Sequence, residues 1–300
     1  MAPTVLVVNP RAGRGRVGRE LPRLVATLTE AGADPTVLVT GHPGHAIDLA
    51  RQASRGGAET VVAVGGDGTV NEVVNGLIED GKPVGTAALG VVAAGSGADF
   101  ARSFAYPPHT GTSLRGIVGD TIPLDVGRLT FATEKGESVR YFVNVAEAGM
   151  GAATVRAAGR LPRFLGKVRY LVAFWPTLAR FHPGEVTVTV NGERFQGRAH
   201  TAIIANGRFF GGGMGISPHS NPDDGIADLQ INIGPKRQAF TLIPKIYKGT
   251  HLPSGLIVQL SGREGLIETE HPMPVEADGE MLGTTPLRFE ILPGILRLRT

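Results

Sequence analysis

One stretch of the chain surrounds a single acid with glycine. Gly65-Gly66-Asp67-Gly68-Thr69-Val70-Asn71-Glu72 follows directly on the apolar run Val61-Val62-Ala63-Val64. Glycine puts no Cβ between the main-chain N–H groups and a ligand, and it admits φ > 0. N–H groups at the start of a helix attract anions, and a carboxylate beside them can hold a metal ion. The chemistry suited to this combination is the handling of a phosphate together with a divalent cation. The plain alternative is a tight turn with no ligand, in which Asp67 is only a favourable charge at a helix N-terminus.

The flanking residues supply the elements that such a loop needs. Residues 61–64 are β-branched or small without polar alternation, as in a strand buried on both faces. Thr69 and Glu72 have the T-x-x-E spacing of a capping box. Val70, Val73, Val74, Leu77 and Ile78 recur at helical spacing, and Gly81 and Pro83 stop the helix. The same alternation surrounds this unit. Strands are predicted over residues 4–8 and 36–40 and within 84–94. Helices are predicted over 46–54 and over 17–31, the latter with Leu21, Leu24, Val25 and Leu28 on one face. Repeated βα units predict a parallel sheet covered on both faces, with ligands at the carboxyl ends of its strands.

After Asp125 the pattern changes. Short strands with turn signals between them are predicted over 128–133, 140–146, 185–191, 193–204, 227–233, 256–260, 268–275 and 287–292. This pattern predicts an antiparallel sandwich or barrel. A helical pattern over 163–181 interrupts it. Its apolar side, with Phe164, Val168, Leu171, Val172, Trp175 and Leu178, is expected to pack on the sandwich, and Pro176 is expected to kink it. The expected domains are 1–125 and 126–287, with a last strand near 288–300 that can return to the first.

Composition narrows the classes. At 42% hydrophobic and 19% charged, the 300 residues are those of a globular chain. The absence of cysteine excludes disulfides, thiolate nucleophiles and cysteine-based zinc sites. The start MAPTVLVVNP has the pattern of a short strand rather than of a signal peptide, and no run approaches membrane-spanning length, so a cytoplasmic protein is expected. Residues 1–130 hold 11 Lys+Arg and 12 Asp+Glu, whereas residues 131–300 hold 19 and 15. Arg156, Arg160, Arg163, Lys167, Arg169 and Arg180 lie in a stretch with no acid between Glu147 and Glu185. Such a stretch can be a solvated helix face or can meet anionic headgroups or nucleic acid. It lacks a recognisable nucleic-acid module, so no nucleic-acid partner is expected.

Gly13-Arg14-Gly15-Arg16-Val17-Gly18 matches a dinucleotide fingerprint, GxGxxG. Four residues separate Val8 from Gly13, however, and Thr40 ends the second strand where an acid should bind a ribose. Ordinary NAD binding is therefore not expected. The eight histidines show no metal-ligand spacing. Asp278-Gly279-Glu280 sets two acids two residues apart, so that both can project from one turn towards one site; alone, Asp-Gly is also an ordinary hairpin turn.

Taken in order, five blocks resemble the diacylglycerol kinase catalytic domain family, which includes bacterial lipid kinases and sphingosine kinases. They are Asn9-Pro10 with its glycine loop, Gly65 to Glu72, Gly95-Ser96-Gly97-Ala98-Asp99, Asn206-Gly207-Arg208 with Pro222-Asp223-Asp224-Gly225, and Asp278-Gly279-Glu280 followed by Thr285-Pro286-Leu287. The resemblance covers nearly the whole chain. It implies an N-terminal α/β domain with a parallel sheet, as in NAD kinases and diacylglycerol kinases, and a C-terminal antiparallel β-sandwich.

The resemblance also implies roles. ATP phosphates would lie on the loop Gly65, Gly66, Asp67, Gly68 and Thr69 and on Gly95, Ser96 and Gly97, with Asn9, Thr40, Asn71 and Glu72 in the same pocket. Asp67 would hold the catalytic Mg²⁺ through water. Glu280, ahead of Asp278, would be the general base towards a lipid hydroxyl, facing the nucleotide loop from the second domain. Asp224, with carbonyls near Asn221 and Ile226, would hold a structural Mg²⁺. The implied partner is a lipid, most naturally diacylglycerol, met through transient membrane association. Oligomeric state stays open, with a homodimer as one option. The chain departs from the family at Ala98, where Asn is usual, at Ser96, where Thr is commoner, and at Gly149-Met150-Gly151-Ala152-Ala153, which lacks an Asp that many members place there. A NAD kinase shares GGDGT but normally carries its Asn-Glu pair in a later segment, whereas Asn71-Glu72 adjoins the loop. A catalytically weak lipid- or nucleotide-binding module is the alternative from another class.

Overall fold

The computed structural model describes residues 3–93, 98–104, 115–162, 165–166 and 168–300. Gly95, Ser96 and Gly97 of the second glycine block lie outside these, as do Arg163, Phe164 and Lys167. The chain divides into two compact units, residues 1–126 with 292–300, and residues 127–291.

The first unit contains β1 (Thr4–Val8), α1 (Ala12–Glu30), β2 (Thr36–Val39), α2 (His45–Arg55), β3 (Thr60–Gly65) and α3 (Asp67–Leu77). A two-strand hairpin, β4 (Ile78–Glu79) and β5 (Lys82–Pro83), precedes β6 (Ala88–Ala93), α4 (Asp99–Ser103) and α5 (Arg115–Val118). Strands β2, β1, β3 and β6 pair in that order, all parallel, and Leu298 from the end of the chain adds beside Leu89 of β6. The βα pattern thus folds as its periodicity predicts. Leu6, Val8, Val62, Val64 and Val92 pack against Val17, Leu24, Leu28 and Ile117, with Leu21 and Val25 at the margin. One local expectation is met and another changes. The regular turns of α1 begin only after Gly13, Arg14 and Gly15, which hold φ of 59°, 60° and 81°. The GxG signature is therefore a left-handed turn, which glycine adopts without strain. Helix α3 ends at Leu77, because Asp80 and Gly81, at φ 50° and 74°, turn the hairpin.

The second unit contains the strand β7 (Thr121–Thr133) from residue 127 onward, β8 (Gly136–Phe142), β9 (Val145–Gly149), α6 (Met150–Gly159), α7 (Val168–Arg180), β10 (Gly184–Val190), β11 (Glu193–Ala199), β12 (Thr201–Ala205) and β13 (Ala227–Asn232). It continues with α8 (Ala239–Tyr247), β14 (Ile257–Gly262), β15 (Glu264–Thr269), β16 (Pro274–Ala277) and β17 (Glu280–Arg299), the last of which passes into the first unit after residue 291. The strands β14, β13, β12, β9, β16 and β17 pair in order, and β11, β10 and β15 form a second run that also reaches β17. Inward alternation from both runs, including Val186, Val188, Ile204, Leu229, Ile267 and Phe289, closes a buried core. Residues 140–146 were expected as one strand. They break at Val143 and Asn144, whose N–H groups turn to a carboxylate instead of a neighbouring strand.

Helix α7 corrects a second expectation. Val168, Leu171, Val172 and Trp175 of the predicted apolar face are exposed, while Leu178 of that face is buried with Ala173, so most of the face does not pack on the sandwich. Among the described residues no helix is long and apolar enough to cross a membrane.

Helices α2 and α3 cross closely at Gly76. A Cβ there would lie 2.8 Å from Ala50 Cβ and would overlap the Ile47 carbonyl. Gly76→Ala should push the helices apart and cost about 1–3 kcal/mol. Denaturant unfolding of the variant and the parent should show this as a lower midpoint at equal slope.

Candidate functional site

The loop between β3 and α3 is built as an open N-terminus. Gly66 is the N-cap, in extended conformation, and no side chain caps the helix. The Gly66 carbonyl accepts from Thr69 N and Val70 N at 2.9 and 3.1 Å. The glycines do not serve here as left-handed residues, since Gly65, Gly66 and Gly68 are absent from the positive-φ positions. Gly65 lacks a Cβ because Thr69 occupies that space, and a Cβ at Gly68 would meet nothing within 4 Å. Bare backbone therefore faces open space at the helix start, the arrangement that receives an anion.

The capping box is not formed. Thr69 is the third residue of α3, and its Oγ1 accepts from Asn9 Nδ2 at 3.3 Å. Asn9 follows β1 and donates its backbone N–H to Val64 O, so two strand ends and the helix start are joined at one place. Glu72 turns the other way. Its Oε1 and Oε2 accept from Gly44 N and Ala46 N at 3.0 and 3.1 Å. It thereby caps α2, whose own N-cap Gly44 has no side chain to offer. Asn71 is buried and accepts from Asn75 Nδ2 at 3.1 Å. Thr40 extends the parallel ladder, donating N–H to Val8 O at 2.9 Å.

Asp67 is the first residue of α3, and its Oδ1 accepts from Phe100 N at 3.1 Å. The carboxylate thus ties the glycine loop to the start of α4. The N-cap of α4 is Ala98, held left-handed at φ 50° and ψ 35° without a side-chain cap. Asn tolerates that conformation and caps a helix, and Ala does neither well. The departure at 98 is thus a matter of backbone geometry as much as of ligand contact.

In the second unit, Asp278 and Gly279 have φ of 48° and 85°, the turn of a two-residue hairpin between β16 and β17. The two acids reach different partners. Asp278 accepts from Val143 N, Asn144 N and Val145 N at 2.9–3.1 Å. Its own N–H donates to Val145 O, so the turn is fastened to the start of β9. Glu280, half-exposed, pairs with Arg140 of β8 at 2.9 Å. Asn221, Asp224 and Ile226 share one exposed turn, with Gly225 at φ 80° and Asp224 Oδ1 accepting from Ile226 N.

Sequence reading missed two buried carboxyls beside the Asp278 turn. Glu147 of β9 and Glu276 of β16 are direct cross-strand neighbours. Glu276 Oε2 accepts from Gly279 N at 2.9 Å, while its buried Oε1 has no partner among the described residues. Glu147 accepts from Gly151 N and from the Thr201 hydroxyl. A Cβ on Gly151 would fall on the Glu147 carboxyl, which occupies the space of a side chain at 151. Burial, opposed by those two hydrogen bonds, raises Glu147 from 4.5 to about 7. Burial and then the nearby Glu147 hold Glu276 well above the ordinary range. The available signal was an acid within an apolar strand, as in Val145-Ala146-Glu147-Ala148, which always demands a partner.

Donor chemistry decides what each site can hold. Asp67 offers one carboxylate next to unshielded backbone, and that carboxylate is a donor of the type that would hold Mg²⁺. The turn at Asp224 offers hard oxygen donors of the type that Mg²⁺ accepts. Among the described residues, no three His, Asp or Glu side chains cluster to form a cage.

The fold is one that diacylglycerol kinases and NAD kinases share. A putative diacylglycerol kinase from Bacillus anthracis str. Sterne superposes with a TM-score of 0.77 at 25% identity, over 99% of this chain and 96% of that one. Yeast NADH kinase complexed with NADH shares the fold at a TM-score of 0.54 and 11% identity, over 99% and 78%. Residues 3–129 match the diacylglycerol kinase catalytic domain, and residues 144–300 match the YegS C-terminal NAD kinase beta sandwich-like domain. The chain is 32% identical over 300 residues to a probable lipid kinase YegS-like protein of Klebsiella pneumoniae (strain 342), covering 99% of this chain and 95% of that protein. It is 27% identical over 292 residues to the diacylglycerol kinase of Bacillus subtilis (strain 168), covering 95% and 91%. The chain belongs to the diacylglycerol kinase catalytic domain family.

Two outcomes follow from this geometry. Ala98→Asn should stabilise the first unit by about 1 kcal/mol, read by thermal unfolding. Glu147 and Glu276 retain protons in the fold that the unfolded chain has already released. The contribution of Glu147 is fully present below pH 4.5 and is lost as pH rises through about 7, and that of Glu276 is lost in the same direction. Melting temperature should therefore fall across that window, and Glu147→Gln should flatten the fall while keeping the acceptor for Gly151.

Proposed function

We propose that this chain, a lipid kinase by family, uses ATP and Mg²⁺ to phosphorylate the primary hydroxyl of diacylglycerol, giving phosphatidic acid. The observation that carries the reading is kinship along nearly the full length with proteins named lipid kinases. The geometry of the first unit supports it, since Asp67 stands at the open N-terminus of α3 beside bare backbone.

In this reading the N–H groups around Gly66 and Gly68 receive phosphate oxygens, and Asn9 and Thr69 fix the loop between the strand ends. Mg²⁺, when bound, neutralises charge that develops on the transferred phosphoryl group. Asp67 orients that ion. Glu72 acts at a distance, by holding α2 against α3. Glu280 takes the proton from the lipid hydroxyl, and Arg140 orients its carboxylate. Asp278 is a positioning residue, because its oxygens already accept three main-chain N–H groups.

A labelled-ATP assay across diacylglycerol, monoacylglycerol, sphingosine, ceramide and NAD tests the reading. Diacylglycerol should be labelled, and labelling of NAD alone, or of no lipid, overturns it. Asp67→Ala and Glu280→Gln should each lower kcat by about a hundredfold or more. Full activity in Glu280→Gln removes that residue as the base.

A further inference from the structure

Two buried carboxyls stand behind the turn that carries Glu280. Glu147 and Glu276 face each other across the β9–β16 ladder, so their side chains leave the same face of the sheet. Their strand neighbours Ala146, Ala148, Val275 and Ala277 belong to the sandwich core, on the other face. The two acids therefore point away from that core, and the Gly151 N–H at the start of α6 reaches Glu147. Glu276 is fully buried, and Glu147 is 6% exposed.

Opposite charge is scarce around them. Strand β12 supplies the Thr201 hydroxyl to Glu147, and His200, just before that strand, stacks its ring near Phe181. The residue opposite Glu276 on β17 is Met281. The first turn of α6 holds no charged side chain, and Arg156 lies in its last turn. Arg140 of β8 is turned to Glu280. Asp278 acts on Glu276 with the same sign as Glu147 does. Two buried carboxylates side by side, with no cation between them, repel strongly, so the pair keeps a proton that isolated carboxyls lose. Glu276 Oε1 is its natural seat, because Oε2 accepts from Gly279 N and Oε1 has no partner among the described residues.

The turn depends on this pair. The β16–β17 register shifts between Val275 and Glu276. Past that shift, only Glu276 with Met281 and Ala277 with Glu280 close the end of the hairpin. The hydrogen bond from Gly279 N to Glu276 Oε2 lies inside it, and Glu280 is the next residue. A second ionisation in the pair drives the Glu276 carboxylate away from Glu147 and takes Gly279 with it.

We propose that Glu147 and Glu276 share one retained proton, and that this singly charged pair positions the turn bearing Glu280. Glu276 is a positioning residue. Its effect on rate rests on the reading of Glu280 as the base, whereas its hold on the turn does not. An acid held above its ordinary range is neutral at low pH, so the last proton of the pair stays through neutral pH and leaves on the alkaline side.

The full chain carrying ¹³C-carboxyl glutamate reads all three acids without nucleotide or acceptor. Glu147 and Glu276 should titrate in separate steps above the ordinary carboxyl range, and the Glu280 signal should move again as Glu276 ionises. Glu276→Gln should remove that alkaline movement, and so should Glu147→Gln, which lifts the repulsion from the other strand. Titration of both buried acids in the ordinary range overturns the proposal. So does a Glu280 signal that keeps its alkaline movement in both folded variants. In the kinase assay, Glu276→Ala should lower kcat at least about tenfold with the KM for ATP at the parent's value. Glu276→Gln should recover most of that loss and lack the parent's alkaline fall in kcat. Parental kcat in Glu276→Ala, or the parent's alkaline fall in Glu276→Gln, also overturns the proposal. A chain that labels no lipid at any pH counts against the acceptor reading alone, and the carboxyl titration still decides whether the pair holds the turn.

Discussion

Main-chain N–H groups at helix starts and strand breaks require acceptors, and burial makes an unmet one costly. In this chain acidic side chains supply them repeatedly. Glu72 serves the start of α2, Asp67 the start of α4, and Glu147 the start of α6. Asp278 serves three successive residues where β8 gives way to β9, and Glu276 serves the turn that carries Asp278. Asp125 does the same for Gly294 where the chain returns to the first unit. The acids near the kinase motifs thus build the loops in addition to any chemistry. An acid whose oxygens are filled by backbone is fixed in direction, which is what a site needs from its supporting residues.

The different partners of neighbouring acids were not legible from spacing. Asp278 and Glu280 look equivalent as letters two apart. The left-handed turn at Asp278 and Gly279 sends one carboxylate to β9 and the other to Arg140. Thr69 and Glu72 have capping-box spacing, yet Glu72 finds two better donors on α2, 28 and 26 residues away. Long-range partners of this kind leave no mark in a local window. What the local window does carry is period, and the βα units of residues 4–93 and the inward alternation of the sandwich strands folded as their periods indicate.

Period also has a defined blind spot. It reports that a helix has an apolar side, and it does not report what lies against that side. For α1 the apolar side meets the sheet, with Leu24 and Leu28 buried. For α7 most of the predicted apolar side points outward, with Leu178 the one buried member among those described. The acid-free run around α7 was visible in the letters, whereas the exposure of the helix's apolar side was not.

The carboxyl of Glu147 and the bare α-carbon of Gly151 make up a single packed volume. Neither position can drift by itself. A side chain at 151 requires a shorter residue at 147, and a shorter residue at 147 leaves a hole that glycine cannot fill. Among descendants of this sequence the two sites should therefore change as a linked pair, with the acid free to migrate from the strand to the helix. A survey that scores position 151 alone would miss that dependence.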